Sequence, residues 1–245
     1  MYNLFDTFAR RYDWHTPPDH YFRDHELVIS LAAEYGPDAR LLDVGCGTGV
    51  LISKAIAAGI QASGFDASAD MVEVARGRIK KDAVWVQRMQ ELDQRDCYDL
   101  VVSLSWCVHY CADRNELQDV VERMYRSLRP GGRLLLQVAH ADNLSNEWLE
   151  DREMGPAGLP DDVVLRFRFR TAPGRSDVML ADYGFVCHSL GEAFSETHEL
   201  NVANAIEIAD MLHVSRYDDV QIWDSWKRDP FASSGNVFVT GLRRP

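Results

Sequence analysis

The nonapeptide LLDVGCGTG, residues 41–49, constrains this chain more than any other stretch. A short apolar strand runs into glycines at 45, 47 and 49, and the helical segment LISKAIAA follows. In such a turn the first glycine can take a positive φ, the second leaves no Cβ to obstruct a ligand, and the third lets helix and strand pack closely. The first N–H groups of the helix have no intrahelical partner and can face a carboxylate or a phosphate. A strand–turn–helix unit built around a ligand is therefore expected here.

The neighbouring segments extend that unit. ASGF ends at Asp66, and Ser68 can cap a helix carrying Met71, Val74 and Ala75. VWVQ, YDLVVSL and GRLLLQVA are further strand candidates, and NELQDVVERMYRSL has helical periodicity up to Arg129-Pro130-Gly131-Gly132. This alternation implies a Rossmann-like doubly wound α/β sheet, mostly parallel, with an antiparallel last strand. Four regions are expected. Residues 1–36, with Leu27, Leu31 and Tyr35 at i, i+4 spacing, form an N-terminal helical lid, and residues 37–140 form the core. Residues 141–199, a polar Gly/Pro-rich stretch followed by LRFRFR and two more strands, read as an antiparallel β insertion. Residues 200–245, a helix over 201–213 and the strands VQIWDSW and NVFVTGL, complete the core sheet. In LRFRFR, Leu165, Phe167 and Phe169 share one face while Arg166, Arg168 and Arg170 share the other. That pattern suits a sheet with one wet face, the alternative being recognition of an acidic substrate group.

Composition narrows the function classes. A formal net charge of −12 repels polyanions, so neither nucleic acid nor an anionic membrane is expected as a partner. No apolar run is long enough to span a bilayer and no signal peptide is visible, which points to the cytoplasm. The five cysteines are scattered and odd in number, so a disulfide framework is not expected.

The spacing G-x-G-x-G, with no Lys-Ser/Thr after it, excludes a P-loop and leaves a dinucleotide or S-adenosylmethionine. Asp43 would oppose a pyrophosphate but can face the ammonium of a methionine moiety. Asp66 can hydrogen-bond ribose hydroxyls in either case. With LLDVGCGTG, GFDAS, YDLVVSLSWCVHY and LRPGGRLLLQ in this order, the chain resembles the class I S-adenosylmethionine-dependent methyltransferases. The resemblance implies S-adenosyl-L-methionine as cofactor and S-adenosyl-L-homocysteine as product. It places Asp43, Gly45 and Gly47 around the methionine end, Asp66 on the ribose and Met71 on the adenine. Cys46, Gly49, Ala67, Met89 and Ser103 complete the implied cofactor set. Arg88 stands where the family often has an aspartate.

The loop SLSWCVHYC lacks the Asn/Asp-Pro-Pro-aromatic motif of base-modifying enzymes, which favours a small-molecule acceptor. His109 and Tyr110 are expected at the mouth of the cleft, where a histidine can take a proton or orient an amine. The N-terminal lid, the insertion and the phrase FSETHELNV are similar to bacterial small-molecule N-methyltransferases, such as the amino-sugar dimethyltransferases of antibiotic pathways. That similarity implies that Tyr12 and His109 approach the substrate amine. N-methylation is therefore expected first. O-methylation with His109 as base, a nicotinamide oxidoreductase and a non-catalytic binding module are the alternatives. A loop of His140, Asp142 and Asn143 offers three metal-ligand types but reads as an ordinary polar loop, so no metal is expected. His198, with Glu196 and Glu199 on a strand, does not form a metal motif. A homo-oligomer is compatible with this sequence.

Overall fold

The computed structural model describes residues 2–140 and 146–245. Strands β1 (Arg40–Val44), β2 (Gln61–Asp66), β3 (Val84–Val86), β4 (Tyr98–Ser103), β5 (Leu128–Ala139), β10 (Tyr217–Trp223) and β11 (Asn236–Arg243) form one seven-stranded sheet, in the order β10-β11-β5-β4-β1-β2-β3. β1 to β5 pair in parallel, whereas β11 runs antiparallel to both β5 and β10. This is the Rossmann-like sheet expected from the alternation of strands and helices.

Alternation along β1 divides the core in two, because successive side chains leave a strand on opposite faces. Leu42 and Val44 join Val101 and the apolar stripe of α5 (Arg114–Ser127), namely Leu117, Val120, Val121 and Met124, together with Ile208 and Leu212 of α6 (Ala205–Val214). Leu41 joins Leu100 and Val102 on the other face. There they meet Leu27, Val28 and Leu31 of α2 (Phe22–Ala33), Leu51, Ile52 and Ala55 of α3 (Val50–Ala57), and Val72 and Ala75 of α4 (Ala69–Arg76). Between β1 and β4 the strand order reverses, which opens a crevice at their carboxyl ends.

A second sheet of four antiparallel strands, β6 (Leu149–Glu153), β7 (Val163–Ala172), β8 (Arg175–Cys187) and β9 (Glu192–Asn201), lies between β5 and α6 in the chain. β6 falls in the polar stretch where no strand was expected. Its sequence LEDRE has no apolar alternation because it is an edge strand, with Glu150 paired to Arg152 and Arg166 instead of packed. Arg168 and Arg170 of β7 both bond the carboxylate of Asp182 on β8, at 2.8 and 2.7 Å. These two arginines are neutralised within the sheet, as the wet-face reading expects. The opposite face carries Val163, Leu165, Phe185 and Cys187, and Phe8 and Trp14 of the N-terminal segment pack on it.

The segment ahead of α2 consists of short turns, Asn3–Phe5 and Ala9–Arg11, and the single turn α1 (Tyr12–His15). LRPGG also departs from a simple helix stop. Leu128 already pairs with Tyr98, and a bulge carries the chain over Gly131, at φ +80°, into the main ladder.

Candidate active site

The glycine turn lies at the carboxyl end of β1, inside the crevice. Gly45, Gly47 and Gly49 hold φ of +78°, +53° and +75°, a region that L side chains rarely adopt. A Cβ on Gly45 would overlap Cys107 Sγ in the loop after β4, while one on Gly49 would meet Ala75 of α4 at 2.9 Å. Around Gly47 nothing lies within 4 Å of that position. Two of the glycines therefore admit protein and the middle one faces open space. No side chain caps the start of α3.

Asp66 is bound into this turn. Gly47 donates its N–H to one carboxylate oxygen at 2.9 Å and Ser68 donates to the other at 2.8 Å. Asp43 lines the cleft and is 4% exposed; burial, with Asp66 adding to it, pushes its pKa up to about 7. Burial raises Asp66 as well, against its backbone hydrogen bonds. Two carboxyl groups thus crowd a poorly solvated site, and a cation or hydroxyl donors would stabilise their charged forms.

The N-terminal segment covers the cleft. Tyr12, Asp13, Thr16, Pro17, Pro18, Tyr21 and His25 line it opposite Asp43, Gly45, Cys46, Gly47, Leu104, Ser105 and Gln137. Asp13 accepts a hydrogen bond from Thr48 Oγ1 at 2.8 Å and pairs with Arg78 through its other oxygen, so one lid carboxylate ties the glycine turn to the segment after α4. Beyond Tyr12 the cleft meets a packed aromatic cluster. Phe5 lies 6.4 Å from Tyr12, 5.5 Å from Tyr110 and 5.4 Å from His198, ring to ring. Tyr2 stacks on His198 at 3.8 Å and Tyr183 flanks it at 4.7 Å. Burial raises the pKa of Tyr12, Tyr110 and Tyr183, which keeps these phenols protonated.

Residues 41–132 match the family model described as a methyltransferase domain. These residues form a methyltransferase domain. The domain's cofactor is S-adenosylmethionine, and the open backbone at Gly47 with the paired acids Asp43 and Asp66 fits a cationic ligand bearing ribose hydroxyls. Among curated proteins, the chain is 29% identical over 106 residues to dTDP-4-amino-2,3,4,6-tetradeoxy-D-glucose N,N-dimethyltransferase of Saccharopolyspora spinosa, covering 43% of each. It is 33% identical over 110 residues to the malonyl-acyl-carrier-protein O-methyltransferase of Enterobacter lignolyticus, covering 43% of this chain and 41% of that one. The chain spans about half the length of the first curated relatives it matches. Its fold is similar to that of the CcbJ methyltransferase of Streptomyces caelestis, with a TM-score of 0.78, 20% identity and 99% and 98% coverage of the two chains. The sugar N-methyltransferase KedS8 of a Streptoalloteichus species gives a TM-score of 0.76, with 22% identity over 96% and 93%. Among the described residues, no helix is long and apolar enough to cross a membrane.

The fold brings Asp43, Gly45, Cys46 and Gly47 together in one cleft with Tyr12 from the N-terminal segment. Gly49 packs on α4, and Ala67 is exposed beside Asp66. Ser103 has its hydroxyl spent on the Val44 carbonyl at 2.9 Å and links β4 to β1. Met71 is buried, and Met89 packs against the core cluster around Leu117 and Cys111. Neither thioether is among the cleft-lining residues.

His109 corrects the sequence expectation. It is fully buried instead of lying at the cleft mouth. Its Nδ1 donates to the Asn201 carbonyl at 2.9 Å, and its Nε2 accepts the Ala139 N–H at 3.0 Å. Burial lowers its pKa to about 4. With both ring nitrogens engaged by backbone, the imidazole braces the loop after β4 against β5 and β9 and has no lone pair left to serve as a base. Tyr110, one residue on, does join the aromatic cluster. The residue that sequence reasoning missed is His198, which joins it from β9 between Tyr2 and Tyr183. Its signal was the alternation of FSETHEL, which sends Phe194, Glu196 and His198 to one face of the strand. Of the His140 loop, Asp142 and Asn143 lie outside the described residues, and His140 is buried against Phe231. His15 and His25, which carried no signal in the sequence, are buried under the lid, and burial lowers both to about 4.

Proposed function

We propose that this chain methylates the nitrogen of a small-molecule amine, an amino sugar or a similar biosynthetic intermediate, where the cleft meets the aromatic cluster beyond Tyr12. One observation carries the reading: Tyr12 lines the cleft and at the same time borders an aromatic cluster of Phe5, Tyr110, Tyr183, Tyr2 and His198. When bound, S-adenosylmethionine supplies an electrophilic methyl group to an in-line nucleophile. Positive charge then grows on an amine acceptor, and aromatic faces and neutral phenol oxygens stabilise such charge without a counter-ion. A neutral amine needs no proton removed at the moment of attack, which suits a site whose phenols burial keeps protonated. The chain's own contribution is alignment and the exclusion of water by residues 2–21, and alignment alone is worth effective molarities of up to ~10⁵–10⁸ M.

O-methylation is the second reading, and the imidazole of His198 at 2.6 Å from the Tyr110 hydroxyl is the observation that favours it. Labelled S-adenosylmethionine offered with a panel of amines and hydroxyl compounds separates the two. Label is expected on amines, amino sugars first. Label only on hydroxyls would replace this reading with the second. Tight binding of S-adenosylhomocysteine with no transfer to any acceptor would leave a binding module.

A further inference from the structure

Glu196 of β9 joins two structures that have no other reason to share a side chain. One carboxylate oxygen accepts the Asn3 N–H at 2.7 Å, and the other accepts the Leu4 N–H at 2.8 Å and lies 2.9 Å from His198 Nε2. Tyr2 adds a lid on the same histidine, stacked at 3.8 Å, while its hydroxyl accepts the Glu199 N–H at 3.0 Å. The His198 side chain is wholly buried and that of Glu196 is 10% exposed.

The polarity of this chain follows from its acceptors. An ionised carboxylate has no hydrogen to give, so His198 carries its proton on Nε2 and presents a lone pair at Nδ1. The Tyr110 hydroxyl, 2.6 Å from Nδ1, must then donate to it. That turns the oxygen lone pairs of Tyr110 away from the ring, one toward the Tyr183 hydroxyl that interacts with it, and leaves the other to accept a hydrogen from an acceptor amine seated beside the cluster. An amine held by one N–H in this way has its own lone pair set in a fixed direction. Burial outweighs Glu196 in lowering the pKa of His198, so the ring stays neutral and the polarity is kept.

We propose that Glu196 is a lid-operated positioning residue: docking of residues 2–5 on its carboxylate fixes the Nε2–H form of His198, which orients the Tyr110 hydroxyl toward the acceptor nitrogen. The last step rests on the amine-methylation reading; the tautomer and the docking do not. Seating the N-terminal segment and ordering the acceptor site become one event, because both draw on the same two oxygens.

Glu196→Gln replaces one acceptor oxygen with a donor, so either the lid amides or His198 lose their partner. In histidine-labelled protein, long-range ¹H–¹⁵N spectra are expected to show a single Nε2–H form of His198 in the wild type. Glu196→Gln is expected to give a mixed or inverted form. Tryptic cleavage after the exposed Arg10 is expected to quicken by about 5-fold, the equivalent of one hydrogen bond. An unchanged tautomer together with unchanged cleavage would overturn the proposal. With an amine that the wild type accepts, Glu196→Gln and His198→Phe are expected to lower kcat by ~10- to 100-fold, the range that small misplacements cost. S-adenosylhomocysteine affinity should stay within about 2-fold, as for distant independent sites. His198→Gln can donate to Glu196 and accept from Tyr110, and should recover most of the rate. Equal losses in His198→Phe and His198→Gln, or full activity in His198→Phe, would also overturn it. Should the wild type bind S-adenosylhomocysteine but methylate no amine, the functional reading falls while the spectra and the cleavage rates still decide the latch.

Discussion

Asp43 is a carboxyl group held where its charge is poorly solvated, and its proton is the handle on the cofactor site. Its pKa near 7 in the folded chain against an ordinary 3.8 means that the folded state binds the proton more tightly than the unfolded state. The ligand-free protein should therefore lose stability as pH rises from about 4 to 7, by about 4 kcal/mol at 1.36 kcal/mol per unit. A cationic ligand stabilises the ionised form, so cofactor affinity should rise with pH up to about 7 and then level off, with proton release on binding below that point. Asp43→Asn should remove the pH dependence, raise the melting temperature of the ligand-free protein at pH 8 and weaken S-adenosylhomocysteine binding. Calorimetric titration in buffers of different ionisation enthalpy measures the protons released; a pH-independent affinity in the wild type would refute the role. His109 carries the opposite lesson. His109→Ala leaves the Ala139 N–H and the Asn201 carbonyl without their partner, at about 1–3 kcal/mol each, so denaturant unfolding should show a loss of about 2–6 kcal/mol. The folded fraction should keep its affinity for S-adenosylhomocysteine. Glycine spacing and strand-end acids were legible because local backbone geometry demands them. The fate of His109 was not, because its partners Asn201 and Ala139 come from β9 and β5, distant in sequence.

At the scale of elements, the loop after β4 is held by contacts that its own sequence does not display. Ser105 and Trp106 both take positive φ, of 50° and 59°, without being glycine. Such a conformation costs of order 1–3 kcal/mol per residue and persists only where the surroundings enforce it. Here Ser105 donates its N–H to Gln137 at 2.8 Å, and the Trp106 indole donates to Asn236 at 2.8 Å while its ring packs 4.9 Å from Phe169. The loop is thus pinned to β5, β11 and the insertion sheet, which sets Cys107 over Gly45 and Tyr110 in the aromatic cluster. Gly45→Ala adds a methyl against Cys107 Sγ at a φ of +78°, and should cost about 2–4 kcal/mol from overpacking and backbone strain together. Adding Cys107→Ala should recover the packing part alone, so a double-mutant cycle by thermal unfolding separates the two contributions; a fully additive cycle would show that the loop and the turn do not press on each other. Elements with a clear period were readable in advance, and β6 was not. An edge strand that exchanges ion pairs instead of burying a face leaves no alternation to find.

For the molecule as a whole, the N-terminal region reaches, among the described residues, the glycine turn, β5 and the insertion sheet. Its Asp13 reaches Thr48 in the glycine turn and Arg78 beyond α4, its Asp24 accepts from Gln137 of β5 at 2.8 Å, and its first residues rest on Glu196 of the insertion sheet. A segment so placed is expected to gate exchange of ligand between the cleft and solvent, and such motions often set the turnover rate. Asp13→Ala removes the tie nearest the cofactor without touching the acidic pair that faces it. It should speed release of S-adenosylhomocysteine by about 5-fold, the worth of one hydrogen bond, while association changes far less. Stopped-flow displacement of a fluorescent analogue gives both rates. If the step from product release to chemistry is gated by this segment, the same variant should raise kcat on a good acceptor and raise KM for the cofactor. A slower release, or an effect confined to association, would show that Asp13 only helps to fold the turn.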